Sequence, residues 1–241
     1  MNYLLLDVGS TFVKYMIYNG RDEIVSSSFP FPKPYLDNGV KYEVYRSDII
    51  KTLSSVFEEA LKYNCKKAFI CVQMHGYLIK RKDGTMTEYV SWRDKRGNID
   101  DERISGVDFS KNGTSLKRNL PAVSLCSFNE DFFGAEFFTL GSYISYYFAG
   151  VNITHKTDAC ASGFFDADTL KPVGIFTGLS LCKVSDTVEL AGTYKGIEIY
   201  TPVGDHQASF LGSGAGNDKY LLNIGTATQL SAVNINNIYK Q

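Results

Sequence analysis

Short apolar blocks and strictly spaced apolar positions alternate along most of the chain. Period-2 or continuous apolar runs predict strands over 3–8, 13–18, 23–29, 68–73, 76–81, 163–166, 197–203, 219–224 and 228–234. Apolar positions at helical spacing predict helices over 47–63, 135–148 and 205–212. An opening antiparallel meander, then helices, then a central apolar strand gives an α/β chain with a mixed central sheet flanked by helices. Pro30-Phe31-Pro32-Lys33-Pro34 and the stretch 94–133 lose the periodicity and are expected as loops and short helices. No repeat of solenoid period is visible.

Two of the predicted strand pairs are joined by turns of small residues. Asp7 closes the first strand before Gly9-Ser10-Thr11, and Gly225-Thr226-Ala227-Thr228 separates the last two strands. Small residues let backbone N–H groups approach an oxyanion, and a strand-end carboxylate can hold magnesium through water, since that ion prefers oxygen ligands and keeps much of its hydration. The plain alternative is a chain reversal with a solvated acid. A second hairpin of the same kind weighs against that alternative.

Composition narrows the class. With 241 residues, 44% apolar and 21% charged, the chain can bury a substantial core. No apolar run approaches the ~20 residues of a membrane span and no basic leader precedes the first strand, so a cytoplasmic location is expected. Net charge is −1 with Lys and Arg scattered, which gives no support to nucleic-acid or membrane binding. Lys80-Arg81-Lys82, before Asp83-Gly84, reads as a solvated hairpin end, and Asn112-Gly113-Thr114 and Asn152-Ile153-Thr154 lack a secretory context. The five cysteines, at 65, 71, 126, 160 and 182, include no Cys-x-x-Cys pair and are expected as reduced core residues, with Cys160 nearest the site. Neither a Walker nor a dinucleotide-binding glycine motif occurs.

A series of motifs, in one order from residue 3 to residue 231, resembles the FGGY carbohydrate kinases of the actin-like ATPase superfamily. The series comprises the Asp7 hairpin, Gln73-Met74-His75-Gly76, Trp92-Arg93-Asp94-Lys95-Arg96, Thr157-Asp158 with Ala161-Ser162 and Phe165-Asp166, Gly204-Asp205-His206-Gln207, and the second hairpin. Gln73 to Gly76 is similar to the xylulose and sedoheptulose kinase branch. The resemblance implies an actin-like ATPase (ribonuclease-H-like) fold with ATP and Mg²⁺ as cofactors. It also implies a small-molecule sugar substrate, with a ketose expected and a homodimer allowed for. Residues 1–217 would form the sugar-binding domain and 218–241 the first hairpin of a nucleotide-binding domain. Since the family continues past that hairpin, the sequence is expected to be an N-terminal fragment rather than a natural truncation.

By the same resemblance, Asp205 is the base that accepts the sugar hydroxyl proton. Its position before a helix also suits an N-cap. A helix start favours an ionised carboxylate there, so its pKa need not be high. Asp7 would hold magnesium, and Gly9, Ser10, Thr11, Lys14, Gly225 and Thr226 would face phosphate, Lys14 serving equally well as a solvated partner of the turn. Gln73, Met74, His75, Trp92 and Asp94 would line the sugar with Asp205. Structural readings stand beside three of these: His75 as a buried histidine, Trp92 as core, Arg96 as support for Asp94. Val72 stands where the family has a small residue, and Phe12 and Ala227 each replace a hydroxyl beside phosphate, which implies weaker ATP handling. The competing readings are another actin-like ATPase and a sugar-binding or regulatory member without catalysis.

Overall fold

The computed structural model describes residues 1–214, 219–224 and 228–232. In chain order the strands and helices are β1 (Asn2–Val8), β2 (Phe12–Tyr18), β3 (Glu23–Pro30), β4 (Leu36–Asp37), β5 (Tyr42–Val44), α1 (Arg46–Lys62), β6 (Cys65–Val72), β7 (Tyr77–Lys80) and β8 (Tyr89–Val90). There follow α2 (Pro121–Ser124), β9 (Glu136–Thr139), α3 (Leu140–Ala149), β10 (Ile153–His155), α4 (Lys156–Ala159), β11 (Lys183–Ser185), β12 (Leu190–Tyr194), β13 (Ile197–Tyr200), β14 (Val203–Gly204), α5 (Asp205–Gly212), β15 (Tyr220–Ile224) and β16 (Thr228–Ala232).

The main sheet has seven strands in the order β12-β13-β6-β1-β2-β3, with β14 pairing β6 beyond β13. β1 and β2 pair antiparallel with Asp7 opposite Lys14, while β1, β13 and β14 each run parallel to β6. The meander, the mixed sheet and the central β6 are as the apolar pattern predicts. One face of β1 buries Leu4, Leu6 and Val8, and α1 lays Ile49, Ile50, Leu53, Val56, Phe57 and Ala60 into the same core. That i, i+3, i+4 spacing is one helical stripe, and each such side chain contributes roughly 1.5–3 kcal/mol on full burial. Phe57 meets Phe148 of α3 at a ring distance of 4.5 Å, joining the two helices over the sheet.

A second sheet, β4-β5-β8-β7-β9, backs a separate core of Tyr77, Ile79, Leu120, Phe137 and Phe164, into which the irregular stretch 94–133 folds. Here the pattern misleads in three places. The helix predicted over 135–148 is β9 followed by α3: Phe137 and Phe138 pack as strand residues, and Thr139 then starts the helix by accepting from the Ser142 N–H at 3.0 Å. The strand predicted over 163–166 is a buried loop, because Gly163 takes φ 82° to end a 3₁₀ turn. The run 197–203 splits into β13 and β14 around Thr201-Pro202, where Pro202 has no N–H for the ladder. Among the described residues, no helix is long and apolar enough to cross a membrane.

Candidate active site at the carboxyl ends of three strands

Parallel pairing brings the carboxyl ends of β1, β6 and β14 to one edge of the main sheet. Asp7 and Val203 both sit at the level of Cys71, and Val8 and Gly204 at the level of Val72. Crevices outside such strand ends are where α/β sheets place ligands. Asp7, Gln73 and Asp205, far apart in sequence, therefore open onto the same space.

Asp7 lies on the face of β1 opposite Leu4, Leu6 and Val8, half-exposed. Lys14 Nζ is 3.6 Å from Asp7 Oδ2, and the Cys71 thiol donates to Oδ1 at 3.5 Å. Burial, with the Asp7 charge second, pushes the Cys71 thiol far up, so it stays protonated as a donor. Cys71, rather than Cys160, is thus the cysteine that touches an expected site residue. The turn after Asp7 is closed by Gly9 N–H donating to Phe12 O at 3.1 Å, with Ser10 and Thr11 at its tip and Phe12 44% exposed.

Gln73 continues β6 by donating its N–H to Val8 O at 2.9 Å, and its Nε2 reaches Gly9 O at 3.4 Å. Its Oε1 is buried without a hydrogen-bond partner. Met74 leans on Gly204, whose absent Cβ would stand 2.6 Å from Met74 Sδ and 2.9 Å from Gln207 Oε1. Any side chain at 204 would collide with both. His75 turns at φ 65° and donates Nδ1–H to Ala161 O at 2.7 Å. Burial lowers its pKa to about 4, so the ring is neutral and Nε2 is an acceptor. The buried-histidine reading is correct for one edge of the ring and leaves the other available.

Asp205 opens α5 but does not cap it: Gly204 occupies the N-cap position, with no side-chain cap bond. Its carboxyl meets the His206 N–H of the first turn instead. Burial pushes its pKa up to about 6, the Asp7 charge adds to this, and the His206 backbone N–H and ring pull the other way. The helix start favours the ionised carboxyl, as expected, but desolvation outweighs it. A carboxyl near 6 is suited to accepting a proton at neutral pH.

Trp92 and Asp94 are placed differently. Arg93 lies over the Trp92 ring at 5.5 Å and over Tyr42 at 5.4 Å. Asp94 is 1% exposed, and both of its oxygens are taken. Oδ1 accepts from Arg96 N and Nε, and Oδ2 from Arg96 Nη2 at 2.6 Å and Tyr42 N at 2.7 Å. Arg96 Nη2 also meets Glu43 Oε1 at 2.6 Å. Asp94 is thus the anchor of a buried latch onto β5, with no acceptor position left over for a sugar hydroxyl.

Two further groups, Tyr89 and Thr154, were not assigned to the site from the sequence, and Thr157 entered only as part of a motif. Tyr89 is fully buried with an unpartnered hydroxyl that fills the space where a Cβ on Gly76 would be. Thr157 Oγ1 accepts the Gly204 N–H at 2.9 Å, and Thr154 Oγ1 donates to Pro202 O at 3.0 Å, so the 154–157 turn grips the strand end that carries Asp205. Only the Thr157-Asp158 motif pointed toward this grip. Gly225 and Thr226, expected to face phosphate, lie outside the described residues, as does Ala227.

Three buried oxygens without partners, on Gln73, Gln207 and Tyr89, gather around the strand ends that carry Asp7 and Asp205. Buried polar atoms are rarely left unpaired, so the cluster fits a polar ligand with many hydroxyls. No group of three or more His, Cys, Asp or Glu that could hold a metal forms among the described residues. A lone carboxylate such as Asp7 fits magnesium, which is commonly held by one or two carboxylates together with substrate phosphates and water.

No family model and no curated protein matches the chain. Solved structures do. Xylulose kinase from Lactobacillus acidophilus superposes with a TM-score of 0.82 at 19% identity, over 95% of this chain and 53% of that one. Gluconate kinase from the same organism gives 0.81 at 19% identity, over 95% and 54%. Plasmodium falciparum glycerol kinase with ADP gives 0.75 at 18% identity, over 88% and 50%. The chain spans about half the length of these proteins. It has the actin-like ATPase fold of the N-terminal part of the FGGY carbohydrate kinases.

Proposed function

We propose that this chain is the acceptor-binding part of an ATP-dependent sugar kinase, and that Asp205 takes the proton from the hydroxyl that is phosphorylated. The observation that carries the reading is the convergence of Asp205 and Asp7 at strand ends on either side of β6, close enough for the Asp7 charge to raise the Asp205 pKa. Bound in the cleft, magnesium ATP supplies the phosphoryl group and the charge neutralisation that its transfer needs. Asp7 would hold the metal through water. Gly9, Ser10 and Thr11 would face the phosphate end, with Gly225 and Thr226 in the same role on the second turn and Lys14 beside Asp7. Asp205, near pKa 6, accepts the proton late in a loose transfer.

For the acceptor, His75 Nε2, Gln73 Oε1 and Gln207 Oε1 supply acceptors for hydroxyls, and Met74 offers an apolar thioether surface. Trp92 with its stacked Arg93 forms the rim, and Asp94 acts through Arg96 and Tyr42 rather than as a ligand. The Gln73 to His75 segment and the likeness to a xylulose kinase and a gluconate kinase favour a sugar or sugar acid, with a ketose first among them.

A second reading, a sugar-binding protein with impaired catalysis, is favoured by Phe12, which places an exposed ring where a hydroxyl beside phosphate is expected. Both readings require sugar binding. A panel of ketoses, polyols and sugar acids should perturb Trp92 fluorescence and raise the melting temperature at millimolar concentration. Transfer of labelled γ-phosphate by the protein in its native length separates the readings, and a panel without any effect on fluorescence, melting or transfer contradicts both.

A further inference from the structure

Asp158 is a buried acid that the proposed reaction does not use. It lies in α4, 2% exposed, without a cationic partner among the described residues: its contacts are the Thr139 and Thr154 hydroxyls and the Gly141 backbone N–H. The space is closed, since a Cβ on Gly141 would stand 2.6 Å from Asp158 Oδ2 and 2.8 Å from Thr154 Oγ1.

The protons in this cluster can be counted. Thr139 Oγ1 is 2.5 Å from Asp158 Oδ2, Asp158 Oδ2 is 2.9 Å from Thr154 Oγ1, and Thr154 Oγ1 is 3.0 Å from Pro202 O. These are hydrogen-bond distances, and the two threonine hydroxyls bring two protons for three contacts. Thr139 Oγ1 accepts from Ser142 N at 3.0 Å and gives its own proton to Oδ2. Thr154 has one hydrogen for Asp158 Oδ2 and for Pro202 O, which also accepts from His155 N at 3.0 Å. A carboxyl enclosed with no cation among its contacts favours the arrangement in which Asp158 carries a proton and donates it to Thr154, while Thr154 donates to Pro202 O.

We infer that Asp158 is carried as the neutral acid and positions Asp205, through the chain Thr139–Asp158–Thr154–Pro202 that fixes the strand end two residues before β14 gives way to α5. Its role as a positioning residue rests on the kinase reading of Asp205; its protonation does not. Loss of the proton leaves Thr154 one hydrogen for two acceptors and loosens either the α4 or the Pro202 side of the link. The titratable groups facing Asp158 are Asp205, Tyr89, Cys160 and Cys182, of which only Asp205 is charged near neutrality. Burial, with the Asp205 charge adding to it, pushes the Asp158 pKa up to about 6 against the two hydroxyl bonds.

The test is infrared difference spectroscopy on the ligand-free chain at about pH 5, a unit above the ordinary aspartate pKa of ~3.9. The Asp158 protonated-carboxyl C=O stretch should be present, persist in Asp205→Asn, and be missing from Asp158→Asn, which keeps only the stretch of Asp205. Should Asp158→Asn not fold, Thr154→Val serves instead: it removes the acceptor of the Asp158 proton, and the same stretch should shift in frequency. As pH rises and the stretch disappears, with a midpoint a unit or more above ordinary aspartate, the amide resonances of Gly204 and Asp205 should move with it. Absence of the stretch, or an ordinary midpoint, overturns the neutral acid. Amides at 204 and 205 that ignore the transition overturn the positioning. Neither outcome depends on whether Asp205→Asn silences transfer, so the two readings fail separately.

Discussion

The two hairpins with small-residue turns are alike in sequence and opposite in surroundings. β1 and β2 lie inside a seven-stranded sheet, with Leu4, Leu6, Val8, Val13 and Ile17 buried beneath α1. β15 and β16 pair only with one another among the described residues, and Tyr220, Leu222 and Leu230 are 75%, 56% and 69% exposed. A contact between Ser231 Oγ and His206 Nε2 at 3.2 Å ties the second hairpin to α5. A two-stranded hairpin alone is marginal in water, so β1 and β2 are supported by neighbouring strands and α1, whereas β15 and β16 have no other strand beside them among the described residues.

Amide hydrogen exchange should show the contrast at its largest. The amides of Leu4 and Leu6 are expected to exchange only through opening that approaches global unfolding, and those of Tyr220 and Leu222 through local opening close to zero cost. Equal protection in the two hairpins would break the comparison. Next in size, Leu4→Ala should destabilise the chain by ~2–5 kcal/mol, whereas Leu222→Ala should stay within ~0.5 kcal/mol. Denaturant midpoints measure both.

pH acts on the framed region. Asp158 and Asp205 have folded pKa values raised to about 6 by burial. Between pH ~4 and ~6 the native state then holds protons that the unfolded state has released, so these groups contribute stability that is present below ~4 and lost as pH rises through about 6. His75, the exposed Asp83 and the half-buried Asp101, shifted downward, have the opposite sign. The difference between the unmodified chain and Asp158→Asn isolates one term: the unmodified chain should lose ground to the variant as pH is raised across that window, by up to ~1.4 kcal/mol per pH unit. A difference that does not change with pH contradicts the raised pKa. The smallest effect is at the surface: Lys14→Met removes an exposed 3.6 Å ion pair with Asp7 and should cost less than ~0.5 kcal/mol.

Much of the frame is legible in the sequence, because β1, β2, α1 and β6 each carry a period that sets their buried face. The stretch 135–148 was not, since Glu136–Thr139 and Leu140–Ala149 form one apolar run in which a change of period has too few residues to register. In the site, Asp7, Gln73 and Asp205 are legible because each follows an apolar strand, and parallel pairing then aligns their strand ends. Asp94 was misplaced for a reason no spacing reveals: its partners Tyr42 and Glu43 come from a three-residue strand that carries no pattern of its own. Cys71 and Tyr89 escaped notice because a thiol or a phenol in an apolar strand looks like core until its neighbours are known.

The central claim is that the carboxyl at the start of α5 serves chemistry and not the helix. Asp205→Asn keeps the shape and removes the proton acceptor, so phosphoryl transfer to the accepted sugar by the protein in its native length should fall by ~10²-fold or more, with sugar affinity and melting temperature nearly unchanged. A variant that transfers phosphate at the unmodified rate would contradict the account.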